Sequence, residues 1–385
     1  MSASPAVAAG RRPVDSPHLV ERVETISLRT PLPRTFAGSH YRMTHRATVL
    51  ARIHTVSGLV GEAYVGDEDG ALDAITGIVQ HELAPVLVGQ DALAVERLWA
   101  RANVVTMDIL RDRRHGLVAQ AAVDAALWDI VGKACGQPLW RMWGGASSSV
   151  PLIAIGGYYG DVLGTIEEEI AFYRDELGLA GIKFKVGGAS PAEDAERVRR
   201  AREAAGPDWV IAADANQAWT VPEALDFARR VAELDLAWLE EPVRWQDDRR
   251  ALRDVRAIGG VPVCAGQSEY SPAGCRELME QGSIDYCNFD SSWSGGPTAW
   301  RRTAAIAASY GVRVGHHEEP QVSTHLIASQ AHGGFAECFH PDRDPYWWSL
   351  ARGGDHLVDR RVQLSDRPGF GWTLDEDYIA ANRIG

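Results

Sequence analysis

GIKFKV (181–186), WVIAADA (209–215) and AWLEE (237–241) are short apolar runs, each ending in charged or amide residues and each followed by a helical pattern. Further runs follow in PVCAG (262–266), IDYCNF (284–289), VRVGH (312–316) and FAECF (335–339), and one precedes them in PLIAI (151–155). From GIKFKV onward their starts are separated by 28, 28, 25, 22, 28 and 23 residues. Amphipathic stretches such as AEDAERVRRAREAAG and PEALDFARRVAEL fill the intervals. Eight strands at that spacing, all but the last followed by a helix, predict an α/β fold built on a parallel (β/α) barrel, a modified TIM barrel. An open doubly wound sheet is the competing architecture. It usually carries a glycine-rich phosphate turn after its first strand, and GGYYGD after PLIAI is not that fingerprint.

Upstream the pattern differs. VERVETISL alternates, and RATVLARIHT and LVGEAYVG flank a Ser57-Gly58 turn, a hairpin signal. Helical periods then follow in ALDAITGIVQHELAPVL and HGLVAQAAVDAALWDIVGKACG, the second ending at Gly136 with Pro138 beyond it. Strands first and helices after predict an N-terminal α+β capping domain over 18–147. The barrel is then expected over 148–344, and a C-terminal segment over 345–385 is expected to pack back on the cap. The opening MSASPAVAAGRRPVDSPH reads as a frayed tail, without the basic-then-apolar order of a signal peptide.

Composition narrows the function. With 39 Lys+Arg against 52 Asp+Glu the formal net charge is −13, and a surface this acidic repels nucleic acid and anionic membranes. No stretch approaches the roughly 18 apolar residues of a bilayer span. The five Cys are odd in number and have no Cys-x-x-Cys pair, which fits a reducing cytoplasm better than a disulfide scaffold or zinc site.

In a (β/α) barrel the chemistry sits at the C-terminal ends of the strands. Those ends read Lys183 and Lys185, Asp214 and Asn216, Glu240 and Glu241, Gln267 and Glu269, Asp290, His317, and Glu337. Lys183 and Lys185 are two apart on a strand and share a face, about 6–7 Å apart at Cα, so they are expected to lower each other's pKa. A lone Lys-x-Lys is more often a pair of solvated lysines. Asp214 and Glu240 offer hard oxygens suited to Mg²⁺, although an isolated pair of this kind more often caps helices. Asp290 and His317 form a carboxylate–imidazole combination that fixes a tautomer and raises basicity, though most such pairs are structural.

Together GIKFKV, AADANQAW, WLEEPV, PVCAGQSEY and the upstream AAVDAALWDIVGKACGQPLWRMWGG resemble the enolase superfamily, in its mandelate racemase branch. The resemblance runs from about residue 20 to the closing PGFGWTLDED. The separations Lys185–Asp214 (29), Asp214–Glu240 (26) and Asp290–His317 (27) belong to it. It implies a small carboxylate substrate, with Lys185 as the base that takes the proton α to the carboxylate from one face and Lys183 beside it lowering its pKa and touching the carboxylate. It places the His317–Asp290 dyad on the other face and Glu337 as the acid that hydrogen-bonds the enediolate oxygen. Asn216 is implied as a substrate contact, and Asp214 and Glu240 as two ligands of one Mg²⁺ per subunit. A homo-oligomer is also implied.

One position departs. The family's third metal ligand is a Glu, and here Gln267 stands in AGQSE. Its carbonyl can bind a hard cation but brings no charge, so the ligands sum to −2 rather than −3 and weaker metal binding is expected. Glu269 is the alternative third ligand. The candidate lid PLPRTFAGSHYRMTH (31–45) reads as a flexible loop with His40, Tyr41 and Arg42 as substrate contacts and Arg34 and His45 nearby. Such polar groups suit a polyhydroxylated acid better than an apolar one. Tyr158, Tyr159 and Trp293 either frame the sugar face or pack. The leading expectation is a hydro-lyase, an acid-sugar dehydratase giving a 2-keto-3-deoxy acid. The alternatives are a racemase or epimerase, a cycloisomerase of an anhydro acid or lactone, and a barrel that binds sugar acids without turnover.

Overall fold

The computed structural model describes residues 16–385 apart from position 161, so the tail expected at the N-terminus lies largely outside the described residues. The chain begins with a three-stranded antiparallel meander, β1 (Val20–Ala37), β2 (Arg42–Thr55) and β3 (Val60–Tyr64). The helix Arg113–Cys135 packs across it. Its start is fixed by Asp112, whose side chain accepts from Arg114 N, and its end by Gly136 in the left-handed conformation (φ 64°). The sheet and helix approach closely at Gly61, where a Cβ would fall 2.0 Å from Ala126 O.

Eight parallel strands form the barrel in chain order: β4 (Ser149–Gly156), β5 (Gly181–Lys185), β6 (Val210–Asp214), β7 (Leu239–Glu240), β8 (Val263–Ala265), β9 (Tyr286–Cys287), β10 (Arg313–Val314) and β11 (Ala336–Phe339). β11 pairs with β4, and a Val314–Gly333 bridge joins β10 to the segment leading into β11, which closes the ring. Alternation decides what each strand side chain meets. Ile182 and Phe184 of β5 join the apolar cluster under the surrounding helices, while Lys183 and Lys185 are buried on the opposite face. The helix Pro191–Ala205 buries Ala195, Val198, Ala201 and Ala205, and a Ser190–Glu193 capping box fixes its start. Inside the barrel Trp238 and Tyr286 stack 4.8 Å apart at 10°, in a cluster with Ile153, Ala212 and Cys264.

The chain then returns to the first sheet. Arg383 and Ile384 pair antiparallel with Leu28 and Ser27, and Thr30 Oγ1 donates to Asn382 Oδ1 (2.8 Å). Among the described residues no helix is long and apolar enough to cross a membrane, and all five cysteines are free.

The segment 31–45 is not the open loop its glycine and serine suggest. β1 runs on to Ala37 and β2 starts at Arg42, so the segment is mostly the end of a hairpin, with a register irregularity between Pro31 and Phe36. Apolar burial holds it down: Phe36 is fully buried and meets Tyr158 edge-on at 5.2 Å, beside Ile155 of β4 and Phe339 of β11. Arg34 is anchored rather than solvated, donating to Val162 O (2.7 Å) and pairing with Asp342 (2.9 Å).

Candidate active site

The strands stop where the chemistry begins. Just beyond β6, β7 and β10 the chain turns sharply, with Asn216 (φ 44°), Gln217 (φ 63°), Glu241 (φ 36°), Glu318 (φ 56°) and Glu319 (φ 52°) all in the left-handed region. These are five of the eight described non-glycine residues with positive φ. Such conformations cost on the order of 1–3 kcal/mol each and persist only where surrounding contacts enforce them. Here the contacts are hydrogen bonds and ion pairs among the side chains of the barrel mouth.

Lys183 Nζ, fully buried, donates to Glu240 Oε1 (2.7 Å) and Glu337 Oε2 (2.9 Å). Lys185 Nζ donates to Asp214 Oδ2 (2.7 Å) and Asn216 Oδ1 (3.0 Å), and lies 5.7 Å from the centre of the Tyr41 ring. The expected mutual lowering does not bring either lysine below its usual range. Burial does oppose the charge on Lys183, but Glu240, Glu337 and Asp214 outweigh it and hold the ammonium well above the usual lysine range. Lys185 is likewise raised, with Asp214 outweighing burial and the repulsion from Lys183. The reason is local: each ammonium has a carboxylate at 2.7 Å. On the acid side, burial raises Asp214 less than Lys185 and Lys183 lower it, so it stays below the usual carboxylate range. Burial pushes Glu240 up to about 7 against the pull of Lys183, helped by the charges of Asp214 and Glu337.

Across the mouth, His317 Nδ1 is 2.9 Å from Asp290 Oδ2 and its Nε2 is 3.2 Å from Glu318 Oε1. Asp290 is fixed in turn, its Oδ1 accepting from Ser292 N (2.7 Å) and Ser292 Oγ (2.6 Å). Burial works against a charged His317, yet Glu318 and Asp290 prevail and raise it to about 9. Its neighbour His316 accepts from Ser291 N at Nε2 (2.9 Å), so its Nδ1 carries the proton and donates to His317 O (2.7 Å). Glu318 N donates to Glu337 Oε2 (3.1 Å), tying the histidine loop to the Lys183 cluster.

Gln267 is buried, and its Nε2 donates to Glu241 Oε2 (3.1 Å) while its Oε1 has no hydrogen-bond partner. An orphaned buried carbonyl oxygen, just past the end of β8 and next to the strand bearing Glu240, fits an oxygen-seeking cation such as Mg²⁺. Among the described residues no group of three or more His, Cys, Asp or Glu is arranged to hold a metal. Glu269 is committed elsewhere, pairing with Arg249 Nη2 at 2.8 Å.

Of the predicted substrate contacts in 31–45, Tyr41 reaches the site, whereas His40 and Arg42 are exposed at the hairpin tip. His45 lies 3.2 Å from Arg29 instead. Tyr158 is buried against Phe36, and the Tyr159 hydroxyl donates to Asp194 (2.7 Å), so both pack. Trp293 does reach the site: its ring lies 4.9 Å from His317 and 4.3 Å from the guanidinium of Arg114, which the cap domain's Glu68 holds at 3.1 Å. Glu241 stands among the strand-end groups read from the sequence, in WLEEPV, but without a role of its own. Nothing signalled Arg46, a buried cap-domain arginine paired with Glu319 (2.7 Å) and Asp344 (3.1 Å) of the barrel side. Burial raises Glu319 to about 8 even against Arg46.

Known proteins show the same assembly. Residues 22–144 match the mandelate racemase / muconate lactonizing enzyme N-terminal domain, and residues 165–378 match the enolase C-terminal domain-like family. The chain belongs to the mandelate racemase/muconate lactonizing enzyme family. A crystal structure of a mandelate racemase/muconate lactonizing enzyme from a marine actinobacterium, in complex with magnesium, is 58% identical. It covers 96% of this chain and 100% of its own, with a TM-score of 0.91. The 3,6-anhydro-alpha-L-galactonate cycloisomerase of Streptomyces coelicolor is 29% identical over 95% of this chain and 100% of its own. The arabinonate dehydratase of Saccharolobus solfataricus is 29% identical over 85% of this chain and 88% of its own. Relatives of this racemase-family chain thus include both lyases and isomerases that act on sugar acids.

Proposed function

We propose that this mandelate racemase-family protein is a Mg²⁺-dependent acid-sugar dehydratase. The observation that carries the reading is the placing of two buried proton-transfer groups, Lys185 at the end of β5 and the His317–Asp290 pair after β10. Going round the barrel, β5 and β10 are separated by five strand steps one way and three the other. A substrate seated between them presents opposite faces to the two groups. Asp214, Glu240 and the carbonyl of Gln267 would hold the metal. Bound there, Mg²⁺ supplies positive charge to the substrate carboxylate as negative charge develops on it.

The remaining chemistry belongs to the side chains. Whichever of Lys185 Nζ and His317 Nε2 has given up its own proton takes the C2 proton, and the electron pair of the C2–H bond becomes the C2–C3 double bond as the C3–O bond breaks. The other group gives its proton to the departing hydroxyl, which leaves as water, and the enol then ketonises to a 2-keto-3-deoxy acid. The configuration at C2 sets which group is the base. Asp290 holds His317 at Nδ1, which leaves Nε2, beside Glu318 Oε1 at 3.2 Å, as the nitrogen free to meet the substrate. Lys183 and Glu337 supply a cation and an acid beside the carboxylate carbon. Asn216 and Tyr41 bound the Lys185 side, and a partly polar mouth suits a hydroxylated chain.

Cycloisomerisation is the second reading, favoured by the full-length match to a cycloisomerase. It begins with the same proton loss, but the leaving group is a ring oxygen that stays attached. Proton NMR in D₂O with Mg²⁺ and a panel of aldonic, aldaric, anhydro and lactone acids separates these. Loss of the C2 signal with new C3 methylene signals supports dehydration of an open-chain acid. Turnover confined to anhydro or lactone acids favours cycloisomerisation. C2 exchange without elimination points to a racemase, and binding without exchange overturns the enzyme reading.

A further inference from the structure

Glu241 leaves β7 in a left-handed conformation (φ 36°) and is buried. Three donors converge on its Oε2: Gln217 Nε2, Ser268 Oγ and Gln267 Nε2, each at 3.1 Å. A carboxylate only accepts hydrogen bonds, so the amide of Gln267 must turn its NH₂ toward Glu241. The amide oxygen then faces away, and it is this Oε1 that is buried with no partner. Leaving a buried acceptor unsatisfied costs about 1–3 kcal/mol, so the arrangement makes physical sense if something else is to meet that oxygen.

We infer that Glu241 is the positioning residue that fixes the Gln267 amide with its oxygen presented as a metal ligand. This rests on the reading of Asp214, Glu240 and Gln267 as the ligand set. A glutamate at 267 would need no such control, because both of its oxygens coordinate. A glutamine has two orientations differing by a half-turn, and only one offers oxygen. Glu241 removes the wrong one, since oxygen against its carboxylate would be repelled. The charge-assisted hydrogen bond also polarises the amide and makes its oxygen a better donor to a cation. Glu241 thereby returns, one layer behind the ligands, part of the charge that Gln267 lacks.

The test is Mg²⁺ titration calorimetry on the metal-stripped full chain, in a cycle of four proteins: parent, Glu241→Gln, Gln267→Glu and the double variant. Circular dichroism establishes that each is folded. With Gln267 present, Glu241→Gln should weaken Mg²⁺ binding about tenfold, the scale of a lost ligand-orienting partner. In the Gln267→Glu background the same change should not weaken binding and should tighten it, because it removes a carboxylate lying against the new ligand. An equal loss in both backgrounds means Glu241 acts only as a nearby charge and overturns the inference. Ser268→Ala serves if Glu241→Gln does not fold. It removes another donor to the same oxygen while the amide keeps its acceptor, so affinity should hold within about twofold, and a tenfold loss would overturn the orienting role. Absence of Mg²⁺ binding in the parent overturns the ligand set itself, and the inference with it.

Discussion

Trp293 stands with its ring centre 4.9 Å from that of His317, the two planes inclined at 44°. An aromatic ring so close to an imidazole favours the charged form through its negative π cloud. Trp293→Leu should therefore lower the pH at which His317 loses its proton, read from the imidazole NMR signals across a pH titration. An unchanged midpoint would limit Trp293 to shape.

Lys185 and His317 should each be indispensable. Lys185→Met and His317→Asn are expected to lower turnover by at least about 10³-fold, the upper range for a positioned acid or base, while circular dichroism shows an intact fold. Full activity in either variant would remove that residue from the reaction.

His317 also sets a pH dependence of stability. Its pKa is raised to about 9 by Glu318 and Asp290 acting against burial, above an ordinary value near 6.5. A raised pKa in the folded protein means that the charged imidazole's stabilisation is present in full below pH 6.5 and is lost as pH climbs through about 9. The difference in Tm between the parent and His317→Asn should thus shrink between pH 6.5 and 9. A difference that grows over that range would contradict the assigned charge.

Arg46 should matter to stability out of proportion to its distance from the proton-transfer groups. Its guanidinium lies between Glu319 and Asp344, all three buried, and joins strand β2 to the loop that follows His317. Arg46→Met leaves two carboxylates buried without their cation, at an expected cost of about 3–5 kcal/mol in urea unfolding. A loss below about 1 kcal/mol would mean that the carboxylates find other partners or protonate without penalty.

Much of the barrel and its mouth is legible in the amino-acid sequence. The barrel follows from strand spacing, because a strand, a helix and two turns need a nearly constant length of chain. Lys183, Lys185, Asp214, Glu240 and Glu337 come together because strand alternation and the barrel's common end leave them nowhere else to converge. What the sequence hides has a shared origin in contacts between residues far apart in the chain. Spacing alone predicts that the two lysines repel one another, but their pKa values are governed by carboxylates at least 29 positions away. The segment 31–45 looks loose by composition, yet Phe36 pins it to β4 and β11. Arg46 meets Glu319 across 273 positions, and no local pattern records such a pair. Glu241 is visible as a residue, but its role depends on a left-handed turn that aims it at Gln267.

The pairing of Ser27 and Leu28 with Ile384 and Arg383 bears on how the protein is made. A ribosome releases the chain in order, at about 5–20 residues per second, so the edge of β1 waits on the order of tens of seconds for its neighbour. Throughout that interval the first sheet has an open, hydrogen-bond-hungry border, the kind of border that recruits foreign strands. The barrel carries a shorter delay of the same kind, because one edge of β4 waits for β11 before the ring can close. Synthesis thus pairs the β1 edge at Ser27 and Leu28 last, and a nascent chain arrested before residue 383 would hold a barrel beneath an unfinished cover.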